Sequence, residues 1–562
     1  MLVFFEPEEK PLKLNAVQMR IARASFEEEG RLQQPILNQL GARTEEIALA
    51  AIAFKLGIPV VNLAKSTIPE NALENFPTKI VHRRNVFPLG VQKDGALYVA
   101  TSNPFDLTLV DEASVATGLP TVPVVAYPNE LAKLIKSRLG VGAETIDGLI
   151  EQKSSEVEIL EDVDWDQGDA QDAQEASVVK LVNDILTEAI ESGTSDVHIE
   201  AQETGMRIRY RIDGVLQTQP TPPEINRFQS AIVSRIKIMS RLNIAEKRIP
   251  QDGRIKIKVS DREVDLRVSI IPMLHGEGIV MRILDKDRMN FTLRGIGMDE
   301  DVYERFGKLI ALPHGIILVT GPTGSGKTTT LYSALNEIKS DDTKIITTED
   351  PIEYQLDGIN QIQVHTKVGL TFAASLRAIL RHDPDVVLVG EIRDFETAEN
   401  AIQASMTGHL VFSTLHTNDA AGAYTRMIDM GVEPFLVGTT VEGIMAQRLA
   451  RRLCKHCKQP WKPRREELPR DFPEELLDTG TLFRPVGCRE CRESGYAGRV
   501  ALYELLIPND EIRRLAGEKA PSNEVKKIAR ANGMATLRDN GWKKVGLGIT
   551  SVEEVARVAK ED

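Results

Sequence analysis

Nine consecutive residues carry the clearest chemistry in this chain: Gly321, Pro322, Thr323, Gly324, Ser325, Gly326, Lys327, Thr328 and Thr329. They follow the apolar stretch Ile316 to Thr320 and precede an apolar-periodic segment. That is G-x-x-x-x-G-K-[ST] in the strand, loop and helix setting the motif needs. The glycines let backbone N–H groups curl around a phosphate without a Cβ in the way, at a helix N-terminus whose partial positive charge favours an anion. Lys327 is placed for the β- and γ-phosphates, and the Thr328 hydroxyl for Mg²⁺. The ligand implied is a nucleoside triphosphate.

Two further apolar stretches end in carboxylates, KIITTEDPIEY (344–354) and DVVLVGEIRD (385–394). In a parallel sheet the ligand crevice lies at the carboxyl ends of the strands. Glu349, Asp350, Glu353 and Glu391 are therefore expected beside the phosphate loop, where hydrolysis needs one carboxylate for water and one in reach of the metal. Taken singly, each reads equally well as a solvated acid at a strand end. A third strand, GHLVFSTLHTN (408–418), places His409 at its start and His416 at its end. On spacing alone either histidine is a packed or surface residue as readily as a phosphate sensor.

All four cysteines fall in LCKHC (453–457) and GCREC (487–491). Each CxxC turn presents two thiolates to one tetrahedral ion, so Cys454, Cys457, Cys488 and Cys491 are expected to form a closed structural Zn²⁺ site, with His456 as a lesser alternative ligand. The thirty residues between the pairs exceed the zinc-ribbon spacing of about 15 to 20, so they must form an excursion of their own.

These groups have to be positioned by a chain of 562 residues, long enough for roughly three or four domains. Residues 1–140 read as a compact N-terminal α/β domain, with EEIALAAIAFKLG (45–57) helical and ALYVATS (96–102) a strand. From 141 to 177 twelve carboxylates face a single base, Lys153. Self-repelling, weakly apolar sequence of this kind favours a flexible linker, assigned to 141–176. A helix is expected from Ser177 as N-cap, and MRIRYRIDG, GRIKIKV and REVDLRVSI alternate with the period of half-buried strands. They make 177–291 a second α+β domain. FTLRGIGM suggests a hinge at 292–298, and 299–562 alternates strands and helices as a parallel α/β domain does.

The chain carries 69 basic against 82 acidic residues, net −13, nearly all of it from the acidic segment. The remainder is close to neutral and shows no basic, aromatic-interleaved groove, which argues against a nucleic-acid partner. No apolar run approaches the roughly 20 residues of a membrane-spanning helix, and MLVFFEPEEK turns acidic too early for a signal peptide. With cysteines confined to one metal site, a cytoplasmic protein is expected.

The ordered series GPTGSGKT, TTEDPIEY, LRAILRHDPDVVLVGEIRD and TGHLVFSTLHTN, with SDVHIE (195–200) and DGR (252–254), resembles the type II secretion and type IV pilus assembly ATPases over about residues 177 to 562. The resemblance implies a RecA-like ATP-binding core behind a PAS-like domain, in a homo-hexamer coupling ATP hydrolysis to assembly of a pilus or pseudopilus. It also implies an inner-membrane platform protein and a cytoplasmic docking protein as partners, and peripheral attachment to the inner membrane through them. By the same resemblance Glu353 activates water, Glu391 is the Walker B acid and His416 lies near the γ-phosphate. Gly390 stands where many other phosphate-loop ATPases have an aspartate, which shifts Mg²⁺ ligation towards Thr328 and water. Arg267 and Arg282, fifteen residues apart, match the family's two arginines that act across the subunit boundary; Arg211 is the alternative, and Arg207, Arg209 and Arg254 read as solvated or locally paired. The tetracysteine element points to an assembly or secretion member rather than a retraction motor. The N-terminal domain holds only fragments of a cyclic di-guanylate motif, such as GRLQQPILNQLG (30–41), and reads as a docking domain. The competing class is a nucleic-acid-translocating RecA-like ATPase, and a third is a nucleotide-gated scaffold, against which the pair Glu353 and Glu391 speaks.

Overall fold

The computed structural model describes residues 2–5, 12–74, 76–106, 108–140, 167–259, 262–285, 292–479 and 481–561, with backbone alone at 28, 167–177, 478 and 479. The chain divides into two compact units, Met1–Val259 with Asp265–Ile283, and Ser260–Val264 with Leu284–Asp562.

The first unit begins with helices Ala16–Glu29, Gln34–Leu40 and Glu45–Leu56. Asn15 opens the first with a reciprocal capping box to Gln18, and Gly57 closes the third in the left-handed region, where a glycine carries no Cβ penalty. Strands β1 (Val86–Val91), β2 (Leu97–Thr101) and β3 (Thr121–Val125) form a small sheet, antiparallel between the first two and parallel between the last two. The expected helix at 45–57 and strand at 96–102 are both present.

Helix Gln167–Glu191 then leads into a six-stranded sheet. Its strands are β4 (Thr194–Gln202), β5 (Gly205–Ile212), β6 (Val215–Thr218), β7 (Gln251–Val259), β8 (Arg262–Met273) and β9 (Gly276–Asp285), in the order β6-β5-β4-β9-β8-β7. The helix begins ten residues before Ser177, so that serine is no N-cap. Of the expected linker 141–176, residues 141–166 lie outside the described residues and 167–176 are the first turns of this helix, which corrects the linker's end. Tyr210 pins the helix to the sheet through a hydrogen bond from its hydroxyl to the Ile185 carbonyl at 2.8 Å. Along β5, Met206, Ile208 and Tyr210 are buried while Arg207, Arg209 and Arg211 occupy the opposite face, as the period-two alternation requires.

The second unit is built on a seven-stranded sheet in the order β12-β11-β13-β14-β10-β15-β18. The strands are β10 (Gly315–Thr320), β11 (Ile345–Glu349), β12 (Asn360–Gln363), β13 (Val386–Val389), β14 (Leu410–Leu415), β15 (Val441–Leu453) and β18 (Tyr496–Leu506). All neighbours pair in parallel except β15 with β18. Strands β10, β13 and β14 are buried at every position, the near-continuous apolar pattern of a sheet covered on both faces. Between the CxxC pairs, β16 (Gln459–Trp461) and β17 (Leu482–Arg484) form a two-stranded excursion. It packs Leu468, Phe472 and Leu482 against Trp542, Val545 and Val552 of the C-terminal helices, so the long interval is a folded element with its own small core. The expected hinge, 292–298, forms turns within this unit, with Leu293 and Met298 buried. No helix among the described residues is long and apolar enough to cross a membrane.

Candidate nucleotide site and cysteine cluster

Strand β10 delivers the chain to the sheet's carboxyl edge, where Thr320 accepts a hydrogen bond from the Thr417 amide at 2.9 Å. The phosphate loop turns through left-handed backbone at Gly324 and Gly326, and helix Lys327–Ile338 begins at once. Lys327 Nζ folds back onto the loop carbonyls of Gly321 and Pro322, at 2.8 and 3.2 Å. Burial pushes its ammonium below the usual lysine value, opposed by Glu391 and reinforced by Arg448, with Glu353 also opposing. Those three charges therefore stand within electrostatic reach of the loop. Ser325 Oγ is buried without a hydrogen-bond partner, a polar atom of the kind a phosphate oxygen would satisfy. The loop, its lysine and its unpaired hydroxyl fit a nucleotide phosphate.

Beside the loop, Glu391 follows β13 and His416 follows β14. His416 Nε2 is 3.4 Å from Glu391 Oε2, and Arg393 donates to the other carboxylate oxygen. The Glu391 side chain is 13% exposed and that of His416 51%, so a half-buried acid faces an exposed imidazole. Asp350 adds to the negative field around Arg393. Glu391 and Glu353 thus lie within electrostatic reach of Lys327, and Asp350 within reach of Arg393.

Glu349 differs. It was expected in the same cluster, but it is 5% exposed, and its oxygens accept from Tyr332, from Thr347 Oγ1 at 2.6 Å and from Gln361 Nε2 at 3.1 Å. Tyr332 belongs to the phosphate-loop helix, and burial together with Glu349 pushes its hydroxyl far above the usual tyrosine value. Glu349 therefore ties β11, β12 and that helix together, with both carboxylate oxygens engaged in those bonds. His409, at the opposite end of β14, bonds through Nδ1 to the Ala404 carbonyl at 2.8 Å and is a structural residue.

In the first unit, Arg282 Nε donates to Asp196 Oδ1 at 3.0 Å, and Arg211 Nε lies 3.8 Å from Oδ2 of the same carboxylate. Arg209 pairs with Glu200 at 2.5 Å. Asp196 of the SDVHIE segment thus gathers Arg282 and Arg211 from the strands on either side of β4. Arg267 is half-buried on β8.

The four cysteines come together as their spacing required. Their sulfurs lie within 4.8 Å of one another, with 3.8 Å between Cys454 and Cys488, 3.8 Å between Cys457 and Cys491 and 3.7 Å between Cys488 and Cys491. Tetrahedral zinc with Zn–S near 2.3 Å puts sulfurs roughly 3.8 Å apart. Backbone amides of Cys488 and Gly495 point at Cys491 Sγ at 3.2 Å, as they would towards a thiolate. The donor set fits zinc, and His456 is exposed and outside the cluster.

Two residues at the site escaped the sequence reading. Gln447 is a buried polar residue inside the apolar run GIMAQ, and that incongruity was the available signal. Arg448 donates to the carbonyls of Gln447 and Asn418 at 3.0 and 2.9 Å, joining β15 to the loop that carries His416.

Residues 171–557 match the Type II/IV secretion system protein family, and residues 56–144 the MshEN domain. The chain is 42% identical to type II secretion system protein E of Xanthomonas campestris pv. campestris over 553 residues, covering 96% of this chain and 95% of that one. It is 41% identical to the type IV pilus assembly ATPase PilB of Myxococcus xanthus over 546 residues, covering 96% of each. Among solved structures, the pilus retraction motor PilT with bound ADP is 29% identical, covers 67% of this chain and 96% of its own, and has a TM-score of 0.46. With a family match across the whole phosphate-loop unit and relatives aligned nearly end to end, this chain belongs to the Type II/IV secretion system protein family.

Proposed function

We propose that this chain is a ring-forming ATPase motor, a homo-hexamer whose hydrolysis of ATP powers assembly of a pilus or pseudopilus. The observation that carries the reading is the meeting of Lys327, Glu391, His416 and Glu353 at one edge of a parallel sheet. Residues from three separate strand ends share an electrostatic field with a phosphate-binding lysine, which is what hydrolysis needs and simple nucleotide storage does not. Relatives named for type II secretion and for pilus assembly align over nearly the whole length, which supports a mechanical output.

In this reading the loop residues Gly321 to Thr329 hold the triphosphate, Thr328 and water hold Mg²⁺, Glu353 activates water, Glu391 is the Walker B acid and His416 lies near the γ-phosphate. Arg267 and Arg282 serve the neighbouring subunit's nucleotide. Asp196 keeps Arg282 extended from β9 until a phosphate competes for it. Residues 177–291 form the PAS-like domain bearing these arginines, and the Cys₄ element binds structural zinc. The N-terminal domain docks on a cytoplasmic partner and the ring on an inner-membrane platform protein, with the acidic stretch ahead of helix Gln167–Glu191 as a tether. The protein is accordingly cytoplasmic, peripheral at the inner membrane and without a nucleic-acid partner.

Mixed rings test the motor reading. Lys327→Ala and Arg267→Ala proteins are each expected to be inactive alone and to regain ATPase activity when mixed, because an intact loop then meets a neighbour's intact arginine. Absence of complementation in rings shown to be mixed would refute action across the boundary.

A further inference from the structure

Strand β15 runs alongside the phosphate loop, and one of its residues, Gln447, approaches both ends of it. Gln447 sits on β15 one residue beyond Ala446, which pairs with Thr320, so it flanks the point where β10 becomes the loop. It is 2% exposed, and Thr330 on the first turn of the loop helix, itself fully buried, donates to its Oε1 at 2.8 Å. The Thr330 amide in turn bonds the Gly326 carbonyl at 3.1 Å. A Cβ at Gly326 would stand 2.8 Å from Gln447 Nε2, and one at Gly321 2.6 Å from the Gln447 carbonyl. The two ends of the loop therefore lie close to different atoms of the same residue, and both glycines also hold positive φ, +151° and +90°, so conformation as well as this close approach favours glycine there. Arg448 donates to that carbonyl at 3.0 Å.

A buried amide inside an otherwise apolar strand costs desolvation unless it is bonded, and this one is bonded to the element that binds phosphate. Backbone N–H donors stabilise an anion best when they are already aimed at it and need no reordering on binding. We propose that Gln447 is the positioning residue of the phosphate loop, holding its backbone in the anion-binding arrangement through Thr330 and through contact with Gly321 and Gly326. The inference rests on the reading of 321–329 as a nucleotide site and adds the group that preorganises it.

The test uses the full-length protein and measures the Kd of a fluorescent ADP analogue, the KM and kcat for Mg·ATP and the melting temperature. Gln447→Met keeps the side-chain volume and removes the acceptor; Thr330→Val keeps the shape and removes the donor. Each is expected to raise Kd and KM about tenfold, the fold-change one buried hydrogen bond supports. The double variant should be no weaker than either single one, and Thr330→Ser, which keeps the hydroxyl, should stay within about twofold of the parent, since partners in one bond are not additive. A Gln447→Met protein that melts lower but binds ADP like the parent would reduce Gln447 to a packing residue and overturn the proposal. So would single-variant losses that multiply in the double variant. Lys327→Ala separates the two readings: if it too binds ADP like the parent, the nucleotide site itself is wrongly placed, whereas its loss beside an unaffected Gln447→Met overturns the positioning role alone.

Discussion

His416 Nε2 stands 3.4 Å from Glu391 Oε2 at the carboxyl ends of the adjacent strands β14 and β13, while Arg393 holds the carboxylate's other oxygen. The Arg393 bond orients this acid, His416 stands beside its other oxygen, and its field reaches Lys327. Glu391→Gln is expected to lower ATP turnover by about 10²- to 10⁴-fold while leaving nucleotide affinity nearly unchanged. His416→Ala, which frees one side only, should cost about tenfold. Steady-state ATPase assays paired with ADP-binding titrations check both.

Glu349 and Glu353, four residues apart, are expected to fail in opposite ways. Glu349→Gln removes a buried charge that accepts from Tyr332, Thr347 and Gln361, and should lower unfolding free energy by about 1.5–3 kcal/mol. Glu353→Gln should leave urea unfolding unchanged and abolish turnover. If the Glu353 variant kept full ATPase activity, the water-activating role would pass to another group.

The cysteine cluster staples the ends of an antiparallel ribbon, since Cys454 directly follows β15 and Tyr496 opens β18 five residues after Cys491. Freshly purified protein should hold about one zinc per chain, and less than about half an equivalent would overturn the assignment. Cys488→Ser or chelation should raise amide exchange first at the ribbon's end, around Leu453 and Tyr496, and leave β10 protected.

Glu554 gives the fold an acid-sensitive joint. Burial disfavours its charge, but hydrogen bonds from Arg557 and Arg451 outweigh that and hold its carboxyl at about 2, below its ordinary 4.5. A depressed carboxyl stabilises the folded state above the unfolded value, so this contribution is complete above pH 4.5 and disappears as pH falls towards 2. The difference in unfolding free energy between the parent and Glu554→Gln should therefore be constant near neutrality and shrink across that window. Metal loss at low pH affects both proteins alike and cancels in the difference. A difference that does not change with pH would remove Glu554 from the joint.

Chemistry encoded by neighbours in the chain was legible before any fold was known. The phosphate loop with its strand and helix, the paired CxxC turns and the alternating arginines of β5 each lie within one element or turn, where spacing alone sets which groups share a face. The strand order was not legible, because periodicity records which face of a strand is buried and not which strand lies beside it. For that reason Glu349 and Glu391, both acids following apolar strands, read alike, although one turns into the packing between β11, β12 and the loop helix and the other opens beside Lys327. The same limit hid Gln447, which comes 120 residues after Lys327 and meets the phosphate loop because β15 pairs with β10.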